Sequence, residues 1–123
     1  MDILQNDENT SISYFKNQVQ EFVKDRNWSK YHSPKNLIQA LGIEVSELSE
    51  LFLFKDFNSN DIIKNNELLE AVSGEIADVF IYLISLTNSL NIDLTSSFVK
   101  KMKLNEEKYP PDEFHDGTYY KKE

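Results

Sequence analysis

Apolar residues recur at intervals of three and four along most of the chain, which is the periodicity of amphipathic α-helices. The first such stretch predicts a helix over about residues 13–26, with Phe15, Val19, Phe22 and Val23 on one face. No stretch alternates as a strand does, and the 123 residues include three glycines and three prolines. The sequence therefore predicts an all-α fold, similar to a four-helix bundle.

A second helix is predicted over about residues 34–54. Ser33 supplies a capping hydroxyl, and Pro34 suits the first helical position because proline lacks a backbone N–H. An apolar seam follows, made of Leu37, Leu41, Leu48 and Leu51. The next segment, DFNSND, is predicted to be a polar break.

A third, long helix is predicted from about Asp61 or Asn66 to Leu90. Its second half is apolar on nearly every side, which predicts a central, buried position. A fourth helix is predicted over about residues 94–108, with Asp93 as its cap. No regular structure is predicted for the tail DEFHDGTYYKKE.

Length and composition narrow the classes of protein. We expect a single domain over residues 1–123, with a core of about residues 13–110 and flexible N-terminal and C-terminal tails. The formal net charge of −8 disfavours nonspecific binding to nucleic acid or to an anionic membrane. The chain has no cysteine, no apolar run long enough to span a bilayer and no basic start resembling a signal peptide, so a cytoplasmic protein is expected.

Carboxylates interrupt the apolar faces of the two central helices. Glu44 lies where a leucine would complete the seam, Glu47 follows three residues later, and Glu75 and Asp78 have the same spacing on the next helix. Facing each other across a bundle, these four groups would surround a hard divalent cation. A ligand set made only of oxygen suits Mg²⁺, with Mn²⁺ as a possible substitute, and argues against zinc.

Two other interpretations of these acidic pairs exist. The chain has five Asp/Glu pairs at this spacing, and roughly three or four are expected by chance at this composition, so solvated helix faces are one alternative. A di-iron carboxylate bundle is the other, but such bundles use Glu-x-x-His pairs. The only histidines, His32 and His115, lie outside the acidic helices, which makes di-iron chemistry the weaker interpretation.

Basic and aromatic residues elsewhere suit a nucleotide. Lys101, Asn105 and Lys108 share one face of the fourth helix, and with Tyr109 they would hold phosphate oxygens; a solvated basic face is the alternative. Trp28, near His32 in the loop before the second helix, suits stacking on a nucleobase. A hydrophobic plug at the end of the bundle explains the same residues.

Four motifs follow one another along the chain: RNWSKYHSPKNL, the E-x-x-E of IEVSELSELF, the E-x-x-D of GEIADVFIYL, and KMKLNEEKYP. Together they resemble the MazG-like, all-α nucleoside triphosphate pyrophosphohydrolases, and most of all their dCTP pyrophosphatase branch. The resemblance runs from about Phe22 to Pro110. It implies hydrolysis of a nucleoside triphosphate, with a deoxycytidine-type base expected, to the monophosphate and pyrophosphate.

The resemblance also implies a role for each matching residue. Glu44, Glu47, Glu75 and Asp78 would bind Mg²⁺, and we expect Glu47, with Glu44, to act on the attacking water. The base and sugar would contact Trp28, His32, Tyr82 and Phe54, the last of which stands where that branch typically has a tryptophan. The phosphates would contact Lys101, Asn105, Lys108 and Tyr109.

The family assembles as homodimers, or as tetramers made of two dimers, so completion of the bundle by a second subunit is expected. Two alternative functions remain at this point. One is a non-catalytic helical interaction module, in which the acidic residues are replaceable. The other is a related dUTPase or phosphoribosyl-ATP pyrophosphohydrolase with the same fold.

Overall fold

The computed structural model describes residues 3–123, and within them every regular element is helical. The α-helices are α1 (Ile12–Asp25), α2 (Pro34–Glu50), α3 (Ser59–Lys64), α4 (Asn66–Leu90), α5 (Leu94–Lys108) and α6 (Pro111–Phe114). A single 3-10 turn, Ser29–Tyr31, lies between α1 and α2. The all-α prediction is confirmed.

The chain divides into two compact units, a first that ends at Asn91 and a second, Ile92–Glu123. The first contains α1 to α4 and the second contains α5 and α6. The single domain over residues 1–123 stays a prediction, and the first two residues of its expected N-terminal tail lie outside the described residues. In the described part of the chain, no helix has the length and apolar character needed to cross a membrane.

Side-chain caps fix where the long helices begin. The Ser33 hydroxyl accepts a hydrogen bond from the Asn36 backbone N–H at 3.2 Å, and the Asp93 carboxylate accepts one from the Ser96 N–H at 2.9 Å. Such caps satisfy N–H groups that have no partner inside the helix. Both predicted caps are confirmed, and the fourth helix has the predicted bounds.

Two predicted boundaries around the second helix are wrong. The helix ends at Glu50 instead of Phe54, because the chain turns over residues 51–54 and Phe54 takes a left-handed backbone conformation with φ of 58°. The last three residues of the supposed polar break, 59–61, begin α3, whose start is fixed by a reciprocal capping box between Asn58 and Asp61. Short-range hydrogen bonds set both boundaries, and the spacing of apolar residues does not predict such bonds.

The core of the first unit forms where α1 and α2 pack against α4. Leu37 of α2 and Ile84 of α4 are 2% and 0% exposed. The Phe15 ring of α1 meets the Phe80 ring of α4 edge to face, with centroids 5.4 Å apart. The Asn88 amide also donates to the Lys16 carbonyl at 3.0 Å, which ties α4 to α1.

The predicted central position of α4 agrees with the packing of α1, α2 and α3 against it, but one of its sides is open in the single chain. Ile76 is 52% exposed and Ile81 is 44% exposed, although Ile84, one turn further on, is fully buried. Their exposure follows from packing partners: α1, α2 and α3 pack on α4 within the first unit and leave these side chains open.

The second unit has structure where none was predicted. The Tyr109 hydroxyl accepts a hydrogen bond from the Lys122 backbone N–H at 2.9 Å. The Lys122 ammonium forms an ion pair with Glu113 at 2.5 Å, and the Phe114 ring lies 5.2 Å from the Tyr109 ring. Contacts between residues so close in sequence hold α6 and the last residues together without a helical periodicity.

Candidate functional site

The packing of α2 on α4 brings three predicted carboxylates together. Glu44 of α2, and Glu75 and Asp78 of α4, each place one carboxylate oxygen within 4.8 Å of the other two. We call these three residues the carboxylate cluster. The spacing of three residues puts Glu75 and Asp78 on one face of α4, and Glu44 faces them from the gap in the leucine seam.

Two oxygens of the carboxylate cluster are buried without a protein partner. They are the Oε2 atoms of Glu44 and Glu75, whose side chains are otherwise half-buried, while Asp78 is exposed. A buried polar atom without a hydrogen bond is costly, and the cost is larger for a charged group. A bound cation would remove it, and an oxygen-only donor set fits a hard divalent ion.

The acidic neighbours perturb the titration of this cluster. Burial raises the pKa of Glu44 most, and a side-chain hydrogen bond with Glu47, together with the charges of Glu47, Asp78 and Glu75, raises it further. Burial also raises the pKa of Glu75 most, followed by the charges of Glu47, Asp78 and Glu50. Both groups therefore hold a proton more readily than free carboxylates do.

Glu47 occupies a different position from the other three predicted ligands. It is exposed and lies outside the carboxylate cluster, yet it is near enough to Glu44 to raise the pKa of that residue. The expected set of four metal ligands is therefore represented in the cluster by three residues, and the role of Glu47 stays a prediction.

An apolar groove of about 550 Å³ adjoins the cluster within the first unit. Its lining includes Asp78 of the cluster and three residues predicted to bind a base and sugar, namely Trp28, His32 and Tyr82. Phe22 and Ile84 are among its apolar walls. The structure thus brings the predicted aromatic residues to the same place as one predicted metal ligand.

Local contacts fix Trp28 at the edge of this groove. Asn27 adopts a left-handed conformation with φ of 59°, and the Trp28 backbone N–H then donates to the Val23 carbonyl at 3.0 Å. The indole meets the Phe22 ring edge to face at 5.8 Å, and the Arg26 guanidinium covers the same ring at 3.7 Å. Trp28 stays 45% exposed, so its ring is available to a ligand.

The remaining predicted residues lie elsewhere. Phe54 is 97% exposed in the turn after α2 and does not line the groove. Lys101, Asn105, Lys108 and Tyr109 belong to the second unit, where Lys101 is exposed and the other three are half-buried. Their contact with a phosphate, and the contact of Phe54 with a base, stay predictions.

Sequence reasoning missed two polar residues of the groove, Gln18 and Ser85. Gln18 lies on α1, whose contribution to a site was not predicted. Ser85 carries the only hydroxyl within the apolar run ISL after Tyr82, and it is 6% exposed. Its spacing of seven residues from Asp78 and three from Tyr82, which places it on their strip of α4, was the signal that could have identified it.

Comparisons with known proteins show the family of this chain. The profile of the MazG-like family matches residues 39–123. dCTP pyrophosphatase 1 of Rattus norvegicus and of Homo sapiens are each 37% identical to this chain over 91 residues, which is 73% of this chain. The matched region is 54% of each relative, so the chain spans about half the length of these curated relatives.

A solved structure gives a match over nearly its whole length. A pyrophosphatase from Archaeoglobus fulgidus is 36% identical, with a TM-score of 0.70. The match covers 89% of this chain and 99% of the archaeal one. A family profile that covers most of the sequence, joined to this structural similarity, establishes that the chain belongs to the MazG-like family.

Proposed function

We propose that this protein hydrolyses a nucleoside triphosphate to the nucleoside monophosphate and pyrophosphate with the help of a divalent cation. The observation that carries the proposal is the carboxylate cluster, with its two buried, unpartnered oxygens, beside a groove that has aromatic walls. The similarity to dCTP pyrophosphatases and to an archaeal pyrophosphatase supports the same activity.

Oxygen-only donors make Mg²⁺ the proposed ion, with Mn²⁺ as a substitute. Glu44, Glu75 and Asp78 would hold it, with Glu47 as the fourth carboxylate beside them. When bound, the cation supplies positive charge that neutralises the triphosphate and stabilises the leaving pyrophosphate. The net charge of −8 favours such a role for the cation, because an acidic protein repels an anionic substrate at long range.

Glu47 is the proposed general base. Its carboxylate orients a water molecule and accepts one proton as the water oxygen forms a bond to phosphorus. The bond between that phosphorus and the oxygen bridging the α- and β-phosphates breaks at the same time. From the resemblance alone, contacts with phosphate oxygens are proposed for Lys101, Asn105, Lys108 and Tyr109.

The base and sugar are proposed to lie in the groove. Trp28 and Tyr82 would supply aromatic contact, and His32 a polar contact. A deoxycytidine-type base is the proposed substrate class, because the curated relatives are named for dCTP. A contact of Phe54 with the base is proposed from the resemblance alone, because this side chain does not line the groove.

Assembly of the chain as a homodimer or a tetramer is part of the proposal. Three isoleucines are each more than half exposed in the single chain: Ile38 and Ile43 of α2 and Ile76 of α4. Isoleucine is among the residues most often buried, so their exposure favours an interface between subunits. Light scattering coupled to size-exclusion chromatography should give a mass of two or four times the 14.4 kDa of one chain. A monomer at micromolar concentration would contradict this part.

The test of the activity is pyrophosphate release from a panel of nucleoside triphosphates, with Mg²⁺ and with EDTA. We expect release with Mg²⁺ only, and loss of turnover in Glu47→Gln and Asp78→Asn. Glu67→Gln is the matched control, because Glu67 is exposed in the first turn of α4 and away from the cluster. Preference for dUTP or phosphoribosyl-ATP would change the substrate, and no release from any triphosphate would favour a non-catalytic binding module.

The position of attack is settled by hydrolysis in ¹⁸O-labelled water. Label in the monophosphate means that water attacked the α-phosphorus, and label in pyrophosphate means attack at the β-phosphorus. Both outcomes are compatible with the same carboxylates, so this measurement tests the orientation of the triphosphate instead of the site itself.

A further inference from the structure

Ser85 combines burial with a hydroxyl that lacks a protein partner. Its side chain is 6% exposed, and no hydrogen bond joins its hydroxyl to another of the described residues. Two other hydroxyls of α2 and α4 bond to a carbonyl one turn back: Ser46 to Gly42 at 3.0 Å and Thr87 to Ile84 at 2.7 Å. The Ser85 hydroxyl therefore retains its hydrogen-bonding capacity for a ligand.

Ser85 lies in the wall of the groove. Ser85 lines the 550 Å³ groove and also a neighbouring hollow of about 310 Å³, and His32 lines both as well. Among the described residues, the side-chain oxygens that are both fully buried and unpartnered belong to Glu44 and Glu75. The Ser85 hydroxyl is unpartnered but not among them, so it remains accessible from the cavity.

The position of Ser85 on α4 relates it to the carboxylate cluster. Asp78, Tyr82 and Ser85 are spaced by four and three residues, so they form one strip of the helix. At 1.5 Å per residue, Ser85 lies roughly 10 Å along the axis from Asp78. A nucleotide with its phosphates at Asp78 and its ring beside Tyr82 would bring the edge of its base to Ser85.

We propose that Ser85 is a specificity-determining residue, whose hydroxyl hydrogen-bonds to the polar edge of a nucleobase seated in the groove. The inference rests on the proposed function for the identity of the ligand. Apolar walls give a base its contact area, and a few polar groups set its orientation and discriminate between bases. Ser85 is the buried polar side chain at that wall.

The test compares Ser85→Ala with Ser89→Ala on two substrates. Ser89 lies one turn further along α4, is exposed and lines only the smaller hollow, so it controls for the same chemical change on the same helix. The substrates are dCTP and 1′,2′-dideoxyribose 5′-triphosphate, which lacks a base. Trp28, the only tryptophan in the chain, lines the groove and reports binding by its fluorescence.

We expect Ser85→Ala to raise the KM for dCTP, and the Kd from Trp28 fluorescence, by about 3- to 10-fold, which is the effect of one lost neutral hydrogen bond. The kcat stays within about twofold, and the constants for the base-less triphosphate are unchanged. Ser89→Ala leaves all of them unchanged. The melting temperature of Ser85→Ala should not fall, because the hydroxyl has no protein partner to lose.

Three results would overturn the inference. The first is an unchanged KM and Kd for dCTP in Ser85→Ala. The second is an equal loss on the base-less triphosphate, which would place the effect at the phosphates or the fold. The third is the absence of any fluorescence response to dCTP in the wild type. If the wild type binds dCTP without hydrolysing it, the proposed reaction fails, and the Kd comparison still decides the role of Ser85.

Discussion

Replacing Ile84 by alanine tests how the first unit obtains its stability. The side chain is fully buried at the junction of α1, α2 and α4 and forms part of the groove wall. The substitution removes three carbon atoms, which corresponds to about 2.4 kcal/mol at roughly 0.8 kcal/mol each. The cavity left behind adds to this, so we expect a loss of about 3–4 kcal/mol in the free energy of unfolding.

Urea unfolding followed by circular dichroism measures this loss, and a melting curve should shift by about 10–15 °C for a chain of this size. Ile81→Ala is the matched control, because Ile81 lies one turn earlier on the same helix and is 44% exposed. We expect it to cost about 1 kcal/mol. A loss below about 1 kcal/mol at Ile84 would refute the packing described above. Equal losses at both positions, dependent on protein concentration, would mean that a second copy covers Ile81.

Three further predictions concern the two central helices. At an Mg²⁺ concentration 100 times its Kd, we expect the free energy of unfolding of the wild type to rise by about 2.7 kcal/mol. This rise should disappear in Glu75→Gln and persist in Glu67→Gln. Stabilisation of Glu75→Gln by Mg²⁺ would remove this residue from the site. Because the pKa values of Glu44 and Glu75 are raised in the fold, the metal-free folded state holds their protons more tightly than the unfolded chain does. The free energy of unfolding of the metal-free protein should therefore fall as the pH rises from about 4.3 through the raised pKa values. Urea unfolding at a series of pH values measures this fall, which should be absent in a Glu44→Gln/Glu75→Gln variant. The same pH dependence in the variant and the wild type would contradict the prediction. A Cβ at Gly74 would meet no atom within 4 Å, so Gly74→Ala should raise the free energy of unfolding by about 0.5–1 kcal/mol, and a decrease would show that another surface packs there.

Helix existence was predictable because burial and periodicity act over many residues at once. The starts of α2 and α5 were predictable as well. At each start a capping residue, Ser33 or Asp93, adds a local hydrogen bond to the apolar stripe that follows. The end of α2 and the presence of α3 depend on hydrogen bonds over three or four residues, as in the Asn58 capping box, which compete with apolar spacing. The open side of α4 depends on which helices pack against it, and spacing within one helix carries no such information.

The carboxylate cluster was predictable because burying a charged residue in an apolar seam costs free energy unless the charge has a partner. The groove was predictable only in part. Trp28, His32 and Tyr82 came from their chemistry and from the resemblance, whereas Gln18 and Ser85 became visible once α1 and α4 were packed together. A serine on a helix is ordinary in sequence, and its significance depends on whether its hydroxyl already has a partner.

Asp78 belongs to both the carboxylate cluster and the groove wall, which has a thermodynamic consequence. If a nucleotide in the groove increases the affinity for the cation by some factor, the cation must increase the affinity for the nucleotide by the same factor. Such linkage through one side chain would make binding cooperative without any movement of the helices. A substitution at Asp78 would alter both affinities and their coupling together, whereas a change at Glu44 or at Trp28 would reach the other ligand only through that coupling.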